Sequence, residues 1–142
     1  MTPRLPDAFA IAIVDDDAAV RSSTGGLLRS LGYSVVDFAS GEDFLSADPS
    51  VVIDCILLDM RMPGRMSGLS VMRILRKRGS NIGVVVVTGR TDQLLARRAA
   101  RLGAVDVLEK PCRPHAMLNS IGRAFSQRGF SVEEQFAYAI PY

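Results

Sequence analysis

The sequence is poor in the groups from which metal centres and disulfide frameworks are usually built. It holds one histidine, His115, and two cysteines, Cys55 and Cys112. His115, near the start of the last helical stripe, reads as a surface residue and not as a ligand. Cys55 lies in an apolar run and Cys112 follows a proline. Their spacing suits no metal site, and reduced thiols are the expectation. Long hydrophobic runs are also missing. Runs such as Val51–Ile53, Cys55–Leu58 and Val84–Val87 fall far short of the roughly 20 residues that span a bilayer. The start, MTPRLPDAFA, lacks the apolar stretch of a signal peptide. A soluble, cytoplasmic protein with no membrane contact is expected. A dominant charge is absent too: 17 Lys+Arg against 15 Asp+Glu leave +2. That excess is too small to argue for nucleic acid from charge alone, although a pI near 8.8 does not exclude it.

What is present suits one packed domain. The chain has 142 residues, 48% hydrophobic and 23% charged, enough apolar material for a single core. Short apolar runs alternate with helical stripes. Ala10–Val14, Ser34–Phe38, the second half of Val51–Leu58, Gly83–Val87 and Val105–Leu108 read as strands. Val20, Thr24, Leu27, Leu28 and Leu31 recur at helical spacing up to Gly32. Ser40 can cap a short helix with Phe44 and Leu45. Val71, Ile74 and Leu75 mark a third helix, which runs into Arg76, Lys77, Arg78 and then Gly79. Leu95, Ala99 and Leu102 mark a fourth, closed by Gly103, and Leu118, Ile121 and Phe125 a fifth. Strands that are apolar on both faces and alternate with helices predict an α/β fold: a doubly wound, five-stranded parallel sheet.

In such sheets ligands bind at the carboxyl ends of the strands. The first strand is followed by Asp15, Asp16 and Asp17, the third by Asp59, the fourth by Thr88, and the fifth by Glu109 and Lys110. Carboxylates, a hydroxyl and a lysine from distant segments therefore converge on one edge. Clustered carboxylates raise one another's pKa and need a counter-charge. Lys110 supplies part, and Mg²⁺, which favours a few carboxylates with carbonyls and waters, suits the rest. A carboxylate beside Mg²⁺, a lysine and a hydroxyl fits in-line phosphoryl transfer, with an aspartate as nucleophile.

Four segments carry a family resemblance: IVDDDAAVR, LLDMRMPG, VVVVTGR and GAVDVLEKP. Together they resemble the receiver domains of bacterial response regulators from Ala10 to about Phe125. The last two look most like the nitrogen-fixation subgroup, which often carries a LuxR-type DNA-binding domain. The resemblance implies a flavodoxin-like receiver domain over residues 1–125 and a C-terminal tail over 126–142. It implies that Asp59 accepts a phosphoryl group from a sensor histidine kinase or phosphotransfer protein. Asp15, Asp16, Asp59 and the backbone carbonyl of Arg61 would hold Mg²⁺. Lys110 and Thr88 would contact the phosphoryl oxygens, together with the backbone amides of Met60 and Gly89. Such a chain phosphorylates itself and dephosphorylates weakly at most; it is not a turnover enzyme. The Lys110–Pro111 bond is expected to be cis.

The sequence also departs from that pattern. Val107 stands where an aromatic usually tracks the threonine of the switch. The MRMPGRMSG loop is one residue longer than the common form, and Cys112 replaces a frequent phenylalanine. Arg61 and Arg90, two residues after Asp59 and Thr88, are expected to screen the acyl phosphate from water. The face of the fourth helix, fifth strand and fifth helix, with Arg97, Arg98 and Arg101, is a candidate homodimer or partner contact. In the tail, Ser131 with Glu134 forms a capping-box pattern that suggests a short helix. No helix-turn-helix follows, so DNA binding by this chain alone is not expected. Three alternatives differ in detail. A haloacid-dehalogenase-like phosphatase needs a second aspartate where Arg61 stands. A flavodoxin-like cofactor binder needs amides where IVDDDAAVR offers carboxylates. A degenerate scaffold would not need Asp15, Asp16, Asp59, Thr88 and Lys110 together.

Overall fold

Alternation within each strand decides which helices can cover it. The computed structural model of the chain describes residues 9–89 and 93–127. Its elements run β1 (Ala10–Val14), α1 (Ala18–Ser30), β2 (Ser34–Phe38), α2 (Gly41–Leu45), β3 (Cys55–Asp59), α3 (Gly68–Lys77), β4 (Gly83–Thr88), α4 (Gln93–Arg101), β5 (Asp106–Glu109) and α5 (Pro114–Gln127). All pairings are parallel, in the order β2-β1-β3-β4-β5. Ala12, Val14, Ile56, Leu58, Val84 and Val86 point to one face, where Val71, Met72, Leu75 and Ala99 of α3 and α4 cover them. Ile11, Ile13, Cys55, Leu57 and Val85 point to the other, under Leu28 of α1 and Ile121, Ala124 and Phe125 of α5. Both faces of β1 and β3 are thus dry, which is why these strands read as unbroken apolar runs.

The helix ends follow local chemistry. Asp17 caps α1 by accepting from the amides of Ala19 and Val20. Ser40 caps α2 and Ser67 caps α3. Gly32, Gly79 and Gly103 take positive φ just past α1, α3 and α4, where a left-handed residue ends a helix without a Cβ penalty. Asp54, fully buried before β3, accepts the Ala10 amide through Oδ2 at 2.9 Å and so fixes the start of β1. Arg76 straps α3 to the end of α4. Its guanidinium donates to the carbonyls of Leu102, Ser80, Ile82 and Gly103 at 2.8–3.2 Å.

The sequence expectations for all five strands and for the helix stripes agree with these elements. α5 runs to Gln127, past the boundary expected at 125. Arg90 and the tail from residue 128 lie outside the described residues. The Lys110–Pro111 bond is cis.

Two measurements check this packing. Gly68 opens α3 where a Cβ would meet the Asp59 carbonyl oxygen and the Met60 Cα, whereas a Cβ on Gly26 in α1 meets nothing. Gly68→Ala should therefore cost about 1–3 kcal/mol in urea unfolding. Gly26→Ala should add about 0.5–1 kcal/mol by helix propensity. Cys55 is fully buried, and burial first, then the charge of Asp54, pushes its thiol up to about 12. Cys112 is only partly buried, its thiol also raised by burial. Alkylation of native protein near pH 8 should label Cys112 alone, and both thiols once urea is added; early labelling of Cys55 would contradict the core described.

Candidate phosphoryl-accepting site

The strand order reverses direction between β1 and β3, and the crevice at that switch lies between the ends of two acidic strands. Asp15 follows β1, and Asp59 is the last residue of β3. Both are nearly inaccessible, at 4% and 5% exposure. Lys110, just beyond β5, reaches across to both. Its Nζ donates to Asp15 Oδ2 at 3.2 Å and lies 3.4 Å from Asp59 Oδ2. Its backbone amide donates to the Thr88 carbonyl at 2.8 Å, which anchors the reach to β4.

Asp15 is held on several sides. Its Oδ1 accepts the Asp17 amide at 2.9 Å, and its carbonyl accepts from Arg21 Nη1 at 2.7 Å. Arg21 also pairs with Asp37 on β2. Asp59 Oδ1 accepts the Arg61 amide at 3.3 Å.

The electrostatics follow from crowding. Burial, and next the charge of Asp15, raise the Asp59 carboxyl above its ordinary value; Lys110 and the Arg61 amide oppose them without cancelling them. For Lys110, burial pulls the amine down, but Asp59 and Asp15 together outweigh it and the net direction is up. The lysine therefore stays charged through neutral pH.

Asp15, Asp16 and Asp59 each place a carboxylate oxygen within 4.8 Å of the others. Three hard oxygen donors, one of them on the exposed Asp16, match what Mg²⁺ takes from protein while it keeps several waters. The residues fit the ion.

Not every expected residue joins this cluster. Asp17 turns away to cap α1, because the first free amides of the helix are nearer than the crevice. Glu109 is exposed at the end of β5 and is not among the carboxylates that gather with Asp15, Asp16 and Asp59. The Met60 amide was expected to face a phosphoryl group, but it donates to the Val87 carbonyl at 3.0 Å. It is spent on the sheet, and the amide that faces Asp59 is that of Arg61. Thr88 ends β4 with its hydroxyl buried and, among the described residues, without a hydrogen-bond partner. It lines a cleft of about 130 Å³ with Gly89, Ala96 and Val107. A larger cleft, about 430 Å³, opens beside Asp15, Asp59 and Lys110 between α1 and the start of α5.

This fold and edge chemistry define a signalling domain built around a reactive aspartate. The chain belongs to the response regulator receiver domain family, whose profile matches residues 11–122. It is 40% identical over 127 residues to the transcriptional regulatory protein FixJ of Azorhizobium caulinodans, covering 87% of this chain and 60% of that protein. It is 40% identical over 117 residues to the response regulator protein TodT of Pseudomonas putida, covering 82% and 51%. The crystal structure of FixJ-N matches with a TM-score of 0.77 at 36% identity, over 83% of this chain and 94% of that one. A receiver domain from Clostridium thermocellum matches with 0.78 at 25% identity, over 85% and 97%. The chain thus spans half to three-fifths of the length of these two regulators. Among the described residues no helix is long and apolar enough to cross a membrane.

The raised carboxyl of Asp59 has a measurable cost. Below the ordinary carboxylate value of about 3.9 it is protonated whether the chain is folded or not, so ionisation costs nothing. As pH rises from there through the higher folded value, the folded state loses stability, and the full loss is present at neutral pH. Asp59→Asn should melt a few degrees higher than wild type at pH 7 in EDTA. The gap should shrink as pH falls through the carboxylate range, and Mg²⁺ should stabilise wild type more than the variant. A variant that melts lower at pH 7 would contradict this assignment of charge.

Proposed function

We propose that Asp59 is the phospho-acceptor of this receiver, served by a sensor histidine kinase or phosphotransfer protein. The observation that carries the reading is the single Lys110 amine within 3.4 Å of both Asp15 and Asp59. An Asp59 oxygen attacks the phosphorus of the donor phosphohistidine. The P–N bond breaks, its electron pair stays on the imidazole nitrogen, and the product is an acyl phosphate on Asp59. Lys110 moves its charge from the carboxylates to a phosphoryl oxygen. The Thr88 hydroxyl, buried without a partner among the described residues, supplies a donor to another, and the Gly89 amide lies beside it. Asp15, Asp16, Asp59 and the Arg61 carbonyl would hold Mg²⁺, which neutralises charge on the carboxylates and the transferring group.

The reaction is stoichiometric self-modification, not turnover. Arg61 and Arg90, two residues after Asp59 and Thr88 in the sequence, retard attack of water on the acyl phosphate. The receiver domain extends to the end of α5 at Gln127. The modified domain acts in the cytoplasm through the α4–β5–α5 face, on a second copy or an output partner. Phosphorylation there biases an existing equilibrium between two arrangements of that face.

The chemistry is checked by incubating the chain with Mg²⁺ and acetyl phosphate and measuring intact mass. One phosphoryl group should be added to wild type and none to Asp59→Ala. Lys110→Ala should be phosphorylated at least tenfold more slowly, the scale of a lost charge contact in the transition state. Thr88→Ala should still accept phosphate but lose the change in oligomeric state or partner affinity that phosphate brings. An adduct that persists in Asp59→Ala would overturn the assignment.

A further inference from the structure

The near-neutral total hides a division of charge along the chain. Residues 60–105 hold ten of the 17 Lys+Arg and one of the 15 Asp+Glu, so this stretch carries +9 where the whole carries +2. The fold gathers much of it on one side. α3 and α4 pack beside each other on the same face of the sheet, and neither contains an acidic residue. Arg65, Arg73, Lys77, Arg97, Arg98 and Arg101 are all exposed. Among the described residues none of these six has an ion-pair partner.

Two pairs make the arrangement costly. Arg73–Lys77 on α3 and Arg97–Arg101 on α4 are like charges at i,i+4 spacing, which weakens a helix. Arg76 ties α3 to the end of α4 through the Leu102 and Gly103 carbonyls and to its own following loop through those of Ser80 and Ile82. Beside that tie lies a groove lined by Ser70, Arg73, Ile74, Arg76, Lys77 and Leu102.

We propose that this α3–α4 face binds the phosphate backbone of duplex DNA without reading its sequence. The proposal goes beyond phosphoryl acceptance and stands independently of it. A protein partner would call for a contact centre depleted of charge, and this face instead exposes six cations and one large hydrophobic, Leu94. A membrane surface would call for a row of apolar residues beside the cations, and Leu94 is the one large exposed hydrophobic on these two helices. Five of the six cations are arginine, whose planar fork suits phosphate oxygens. Helices of 10 and 9 residues extend about 15 Å each, enough to meet several phosphates. The expectation that this chain would not bind DNA rested on the absence of a reading helix, and backbone contact needs none.

The test is fluorescence anisotropy of a labelled random-sequence duplex with the full chain in 20–200 mM NaCl. Wild type should bind in the micromolar range at low salt, and log affinity should fall steeply with log salt, with a slope of about −3.6 to −5.4 for four to six phosphates. Arg73→Glu/Lys77→Glu and Arg97→Glu/Arg101→Glu should each weaken binding at least tenfold and flatten the slope. Arg29→Glu, on α1 across the sheet, should change affinity less than twofold. Circular dichroism and acetyl phosphate labelling confirm that each variant is folded. Polyglutamate and vesicles of phosphatidylserine are the rival probes. No binding at 20 mM NaCl, affinity indifferent to both charge reversals, or a rival probe bound as tightly as the duplex would each overturn the proposal.

Discussion

Asp15 and Asp59 are two nearly inaccessible carboxylates at adjoining strand ends, and their mutual repulsion is offset in this structure by one amine. Much of the surrounding architecture delivers that amine. β5 sits at the sheet edge beyond β4, so Lys110 must cross β4 to reach β1 and β3. The bond from its amide to the Thr88 carbonyl sets the starting point of the reach. Asp15 is braced from its far side by the Asp17 amide and, through its carbonyl, by Arg21. The balance is deliberately incomplete in a physical sense: the net push on Asp59 is still upward, so the crevice retains an appetite for positive charge. A divalent cation would answer that appetite and leave positive charge to favour a phosphoryl group.

The same economy limits how a signal can leave the site. The Thr88 side chain lies in the cleft between β4, α4 and β5, beside Ala96 and Val107. Neither residue has a ring that could rotate between a buried and an exposed position. A change at Thr88 must then reach the outer face as a displacement of α4 or of the β4–α4 connection. β5 itself is pinned to α5: Asp106 accepts from Ser120 at 2.6 Å and from Arg123 at 2.7 Å. α5 is thus fixed on β5, and α3 is strapped to the end of α4 by Arg76.

The fold was legible because its signals are redundant. Each strand is marked by apolar residues on both faces and each long helix by a stripe with a glycine after α1, α3 and α4, so errors in one signal are corrected by the next. The reactive residues were legible because strand ends in a parallel sheet share an edge. What escaped notice depends on which of several neighbouring donors or acceptors a group chooses. Asp17 looked equivalent to Asp15 and Asp16, yet helix amides captured it. The Met60 amide looked available, yet the register of β3 against β4 gives it to Val87. Asp54, Asp106 and Arg76 gave no sign at all, since a carboxylate or guanidinium whose partners lie 44, 14 or 26 positions away has no local pattern.

Net charge failed as a guide for a related reason. A sum over the chain discards position, and a doubly wound fold converts position in the chain into position in space. Residues 1–59 carry ten acids and three bases, whereas 60–105 carry one acid and ten bases. The first stretch supplies β1, β2, β3, α1 and α2; the second supplies α3, β4 and α4. Sequential elements are neighbours in this topology, so the two populations do not intermix. The acidic share also includes carboxylates already committed within the domain: Asp15 and Asp59 to Lys110, Asp17 to α1, Asp54 to Ala10. The basic share has fewer such commitments. An anion that approaches therefore meets a field much nearer to that of the six exposed cations than to the formal +2.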